Sequence, residues 1–132
     1  MSRRELREQI FKLLFRVEFN AKDELAMQEA LFFEDEENRA NEEENAEIHE
    51  KFGRIVERLE KIDTDLNQKA KGWGTDRMGK VDLTILRLAV YEIQYDDEVP
   101  TGVAINEAVE LAKKFGQDSS PAFVNGVLAK FA

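Results

Sequence analysis

The sequence predicts an all-α protein, and three observations carry that prediction. Apolar residues recur at three- and four-residue steps in one segment after another, the spacing that stacks side chains on one face of a 3.6-residue helix. The two prolines, Pro100 and Pro121, stand where helices begin rather than inside an apolar stripe. Glycines fall between the stripes, as at Gly72, Gly74 and Gly116. At 132 residues the chain is one domain, large enough for a single core and too short for two independent ones.

Composition then removes several classes of function. The chain has no cysteine, so neither a disulfide nor a Cys-based zinc site can be built. No apolar run approaches the roughly 20 residues that a membrane span needs, and the polar N-terminus lacks a signal-peptide core. A soluble, cytoplasmic protein with no membrane contact is therefore expected. The net charge of −9 argues against a general nucleic-acid binder. Any RNA contact must use a local basic patch.

Such a patch lies at the N-terminus. Arg3, Arg4, Arg7, Lys12 and Arg16 face only Glu5 and Glu8 within the first 16 residues, a local charge of +3. The same segment is amphipathic, with Leu6, Ile10, Leu13, Leu14 and Val17 on the inner side. Arginine suits phosphate because its planar fork donates parallel hydrogen bonds, and a helix N-terminus adds free N–H groups. A solvated helix face accounts for the same residues without any ligand.

A second short helix, opened by Asp23, carries Leu25, Ala26, Phe32 and Phe33 and is expected to pack on the first through Phe15 and Phe19. Residues 34–45 hold seven carboxylates in twelve positions and read as an exposed loop. They lack the alternating ligands and turn glycine of a calcium loop. Helical period returns at Ala46, and Ile48, Phe52, Ile55, Val56, Leu59 and Ile62 form one long stripe, with Glu57 and Lys61 as an outward pair. His49, the sole histidine, reads as a surface residue rather than a metal ligand or base. A turn from Ile62 to Leu66 opens another short helix through Lys71, and Gly72 and Gly74 close it around Trp73. From Val81 to Ile93 apolar residues are so dense that a central, buried helix is expected. Asp82, Arg87 and Glu92 are its charged exceptions, each to be paired internally or aimed into a functional groove.

Residues 105–128 make two helices. Ile105, Ala108, Val109, Ala112 and Phe115 share one face of the first, which Gly116 ends. Ser120 is the expected cap of the second, with Pro121 at its first position and Val124, Val127, Leu128 and Phe131 facing inward. Asn106, Asn125 and Gly126 disfavour helix, the glycine by about 1 kcal/mol relative to alanine. Either close helix packing or a binding role must keep them there.

The stretch Val103-Ala-Ile-Asn-Glu-Ala-Val-Glu-Leu-Ala-Lys, followed by Phe123-Val-Asn-Gly-Val-Leu, resembles the NusB family of bacterial transcription antitermination factors. Trp73, Arg77, Asp82, Leu86-Arg-Leu-Ala and Tyr91-Glu extend the resemblance, which is weakest between Ala21 and Asn67. It implies about seven helices in two packed subdomains, approximately residues 1–72 and 73–132, forming one RNA-binding domain. It implies a factor that captures single-stranded boxA RNA of rRNA operon transcripts together with the ribosomal protein NusE and couples them to RNA polymerase. Arg3, Arg4 and Arg7 would hold the RNA backbone. Arg87, Ser119, Ser120, Phe123 and Asn125 would lie on the RNA face, and Phe15 and Asp82 would meet NusE. The family's arginine-rich stretch is thinner here, broken by Glu5 and Glu8. A homodimer that hides it is compatible with the resemblance.

No Ser-His-Asp spacing, cysteine nucleophile, phosphate-binding glycine loop or second histidine is present, so no catalytic residue, cofactor or metal is expected. Two binding readings stand beside the antitermination factor. One is a helical protein-interaction module with no sequence-specific RNA binding. The other is an RNA-targeting module like the NusB-like domain that precedes some rRNA methyltransferases.

Overall fold

The computed structural model describes all 132 residues and contains seven α-helices and no strand. They are α1 (Arg3–Phe15), α2 (Leu25–Glu34), α3 (Glu42–Glu57), α4 (Leu59–Lys69), α5 (Lys80–Tyr95), α6 (Thr101–Phe115) and α7 (Ser120–Ala129). Short 3₁₀ turns follow α1 at Arg16–Phe19, precede α2 at Lys22–Glu24 and precede α5 at Thr75–Arg77. The chain divides into two compact units, Met1–Val56 and Glu57–Ala132. That break falls earlier than residue 72 because α4 packs on α5.

In the first unit, α1 opens on a capping box: Ser2 Oγ accepts from the Glu5 N–H at 3.1 Å while the Ser2 N–H donates to Glu5 Oε1 at 3.4 Å. Leu6, Ile10, Phe11, Leu13 and Leu14 are buried. The α-helix stops at Phe15, so Val17 sits in the 3₁₀ turn and is only half-buried. Arg16 fastens this turn to α2, donating to the Gln28 carbonyl at 3.2 Å and its side-chain oxygen at 3.3 Å, with its guanidinium over the Phe32 ring. One of the five basic residues is thus occupied structurally. The α1 to α2 packing leaves Phe19 61% exposed rather than wedged between the helices.

Two boundaries differ from expectation for electrostatic and local reasons. Helix α3 begins at Glu42, not Ala46. Asn41 and Glu44 cap it reciprocally at 2.8 and 2.9 Å, and three glutamates suit the positive end of a helix dipole. Only residues 35–41 of the acidic run are loop. The second difference is a break at Arg58, which splits the long stripe into α3 and α4 and leaves Ile62 to Leu66, expected as a turn, inside α4. The predicted Glu57 to Lys61 pair is lost with it: Lys61 bonds Asp65 at 2.7 Å instead, which raises its amine above the ordinary range.

The second unit is built on α5, whose residues Leu83 to Glu92 are all buried, with α4, α6 and α7 packed around it. Ala104, Ala108, Leu111 and Ala112 form the buried stripe of α6, so Ile105 and Val109 sit at its flank, half-buried. Small residues here let α6 approach its neighbours closely. In α7, Val124, Val127 and Leu128 are buried as expected, while Phe131 lies just past the helix, half-buried.

Candidate nucleic-acid interface

The arginines of α1 lie in the first unit. Arg3 and Arg4 are exposed and Arg7 is half-buried. Arg3 pairs with Glu47 at 2.5 Å, yet its side chain remains 75% exposed. An exposed pair contributes only about 0 to 1 kcal/mol, so exchanging Glu47 for a phosphate is cheap. Lys12 lies 3.5 Å from Glu8 one turn away. Phe15 is half-buried between Phe11 and Phe19, with ring centroids 6.3 and 5.0 Å away.

In the second unit a cleft of about 620 Å³ opens where the start of α5 meets the corner between α6 and α7. Trp73, Arg77 and Lys80 line it with Asp82, Ser119 and Phe123. Asp82, Ser119, Ser120 and Phe123, which the sequence separates by almost forty residues, therefore share one cleft. Asp82 also stands in the first turn of α5, where a carboxylate is favoured by the dipole.

Two expectations for this unit need correction. Arg87 is not on an open face: Nε and Nη2 donate to the two Asp63 oxygens at 2.9 and 2.7 Å, and its side chain is 11% exposed. The fork-on-carboxylate geometry makes it the tie between α4 and α5. Ser120 is likewise buried. Its Oγ accepts from the Gln117 N–H at 3.0 Å, and its own N–H donates to the Gln117 carbonyl at 3.0 Å. The N-cap is Ser119, not Ser120. Ser120 therefore shapes the turn instead of offering a free donor.

Gly116 is required at this corner by space and not by backbone handedness, since its φ is −92°. A Cβ there would meet Ser120 Cβ and Oγ at 2.6 Å and the Ala112 carbonyl at 2.8 Å. Gly126 is the opposite case: it is exposed, and a Cβ would meet nothing within 4 Å. Asn106 and Asn125 are exposed too, so packing does not account for these three residues.

Residue spacing could not bring Trp73, Arg77, Lys80 and Gln117 to Phe123, because loops connect them. The one local signal was a tryptophan set between two glycines. Asp63 as the partner of Arg87 was equally hidden, since many carboxylates competed for that role.

Fold and cleft together define the class: small all-α proteins of two helical units with an open aromatic and cationic cleft in the second. The NusB family's sequence model matches residues 4–132, and this chain belongs to that family. The transcription antitermination protein NusB of Agathobacter rectalis is 56% identical over 132 residues, covering all of both chains. Its counterpart in Lachnoclostridium phytofermentans is 53% identical over 130 residues, covering 98% of each. Among solved structures, T. maritima NusB superposes with a TM-score of 0.87 at 32% identity, covering 100% of this chain and 91% of that one. A crystal structure of the antitermination factors NusB and NusE in complex with double-stranded RNA superposes with a TM-score of 0.84 at 26% identity, covering 98% and 94%.

Proposed function

We propose that this chain is a transcription antitermination factor that binds single-stranded boxA RNA of rRNA operon transcripts together with NusE and couples both to RNA polymerase. Its work is recognition, with no catalytic step. Family membership supports the antitermination role, and the observation that carries the RNA contact is segregated charge: exposed arginines on α1 in a chain of net charge −9. Arg3, Arg4 and Arg7 hold phosphates, which need only charge and parallel donors. Phe123, Ser119 and Asn125 contribute contacts from the second unit, where unstacked bases can be met by aromatic faces and polar edges. Ser120 and Arg87 act indirectly, by fixing the α6 to α7 turn and the α4 to α5 tie. For NusE, Phe15 with exposed Phe19 beside it supplies an apolar anchor, and Asp82 a charge.

The test is the salt dependence of RNA binding. Three phosphate contacts on a single strand give a slope of log affinity against log salt near −2, from about −0.7 per contact. Replacing Arg3, Arg4 and Arg7 by alanine removes that slope and leaves thermal stability unchanged. Binding that is independent of salt in the parent, or unfolding of the triple variant, contradicts the assignment.

A further inference from the structure

We propose that the cleft of the second unit receives one unstacked nucleobase, with Trp73 as its stacking platform and Arg77 as its charged rim. The proposal deepens the RNA reading and rests on it. Trp73 is the protein's only tryptophan and is 55% exposed, a large aromatic surface that the core does not use. Its placement is nevertheless fixed. The Trp73 N–H donates to the Ala70 carbonyl at 2.9 Å, Gly72 takes a φ of +85° just before it, and Asn67 accepts from the Thr75 N–H at 2.7 Å just after it. A backbone held this way leaves only the side chain's own torsions to be fixed on binding.

The surroundings select the occupant. Phe123 props the indole edge to face, with centroids 6.2 Å apart and planes at 71°, so no parallel slot exists between the two rings. A base must therefore stack on the indole face and not be sandwiched. The Arg77 guanidinium lies over the Trp73 ring, 5.8 Å from its centre and so beyond stacking contact, steadied by a 3.3 Å bond to the Gly72 carbonyl. Arg77 and Lys80 outnumber the one carboxylate of the cleft, Asp82, which reverses the sign of the chain as a whole. Exposed Gln117 and Ser119 line the same cleft and bring donors and acceptors to it. A flat π-face beside cations, with polar edges around it, fits a base attached to a phosphate chain. An aliphatic peptide side chain would leave those cations and amides unused.

The single tryptophan makes the test direct. Emission of Trp73 in the full chain is followed while a short single-stranded RNA is added, and again with an abasic oligonucleotide of the same length and charge. The RNA should quench Trp73 and the abasic strand should not. Trp73→Ala should weaken RNA binding by about 5- to 150-fold, the usual range for a base-stacking aromatic, with the salt slope unchanged. Trp73→Phe should keep most of the affinity. RNA that binds without altering Trp73 emission, and binds Trp73→Phe and Trp73→Ala as well as the parent, overturns the base site and leaves the arginine-held RNA intact. Equal quenching by both strands assigns the cleft to phosphate and overturns it as well. No RNA binding at any salt concentration removes both readings.

Discussion

Arg87 gives the sharpest separation between a ligand contact and a structural tie. Its guanidinium forms two short bonds to Asp63, and the two side chains are 11% and 26% exposed. Removing one partner of a fully buried pair costs about 3 to 5 kcal/mol, because the other charge is stranded. Water reaches Asp63 in part, which lowers the expected cost of Arg87→Met to about 2 to 3 kcal/mol. For 132 residues an unfolding entropy near 2.1 cal/mol/K per residue turns about 2.5 kcal/mol into a fall in Tm of about 9 °C. Asp63→Leu should cost a similar amount, and the double variant should recover much of both losses, since an apolar pair replaces an ionic one without a stranded charge. Thermal and urea unfolding of the four proteins measure this cycle. RNA affinity of Arg87→Met, measured where it is fully folded, should stay within about twofold of the parent. A variant that keeps its Tm and loses RNA binding would refute the reasoning and return Arg87 to the RNA face.

Further predictions follow from the two exposed or crowded glycines, the N-terminal tether and the partner surface. Gly116→Ala should lose about 1 to 3 kcal/mol, because its Cβ meets the Ala112 carbonyl as well as Ser120. Gly126→Ala should gain up to about 1 kcal/mol, because nothing obstructs the new methyl and helix propensity improves; urea unfolding checks both, and a loss at position 126 contradicts the description of its surface. The Met1 amine and Glu44 form a pair whose mutual hydrogen bond raises the amine above 8.0 and lowers the carboxyl below 4.5. The Glu44 contribution is therefore present above its unfolded pKa and lost as pH falls through the folded value, and the amine's is present below pH 8.0 and lost as pH rises through its raised value. Hydrogen exchange at the start of α1 should show protection falling at both ends of that window, and Glu44→Gln should abolish both changes. Asp82→Ala should weaken NusE binding while RNA binding by the isolated chain is kept, read by titration with each partner; equal loss of both would place Asp82 in the RNA contact.

The fold was legible where a helix carries its buried stripe in the local sequence. Period alone located α1, α5, α6 and α7, and the dense apolar run Val81 to Ile93 marked the buried centre of the second unit. Boundaries were less legible where charge decides them. The glutamates before Ala46 looked like loop because they bury nothing, yet a helix N-terminus stabilises them and Asn41 caps them. The break at Arg58 left no mark in the apolar spacing, which continues through it. For the candidate site, residue type pointed to the arginines of α1 but could not tell Arg87 from them. What separates these residues is burial and the position of Asp63, both properties of the packed chain. Ser120 is a similar case, its hydroxyl taken by a backbone N–H three residues earlier. Trp73 stood out in the sequence, but its alignment with Phe123 and Arg77 depends on how the loop from Gly72 to Gly79 turns.

The claim on which the account turns is sequence-selective capture of single-stranded RNA, and a competition gel shift measures it most directly. Labelled boxA RNA bound to the chain and NusE is challenged with unlabelled boxA and with a scrambled strand of equal length and composition. Displacement by boxA at concentrations at least tenfold below those the scrambled strand needs, about 1.4 kcal/mol of discrimination, is the result predicted. Equal displacement by the two strands would contradict it and favour a protein-interaction module that attracts RNA by charge alone.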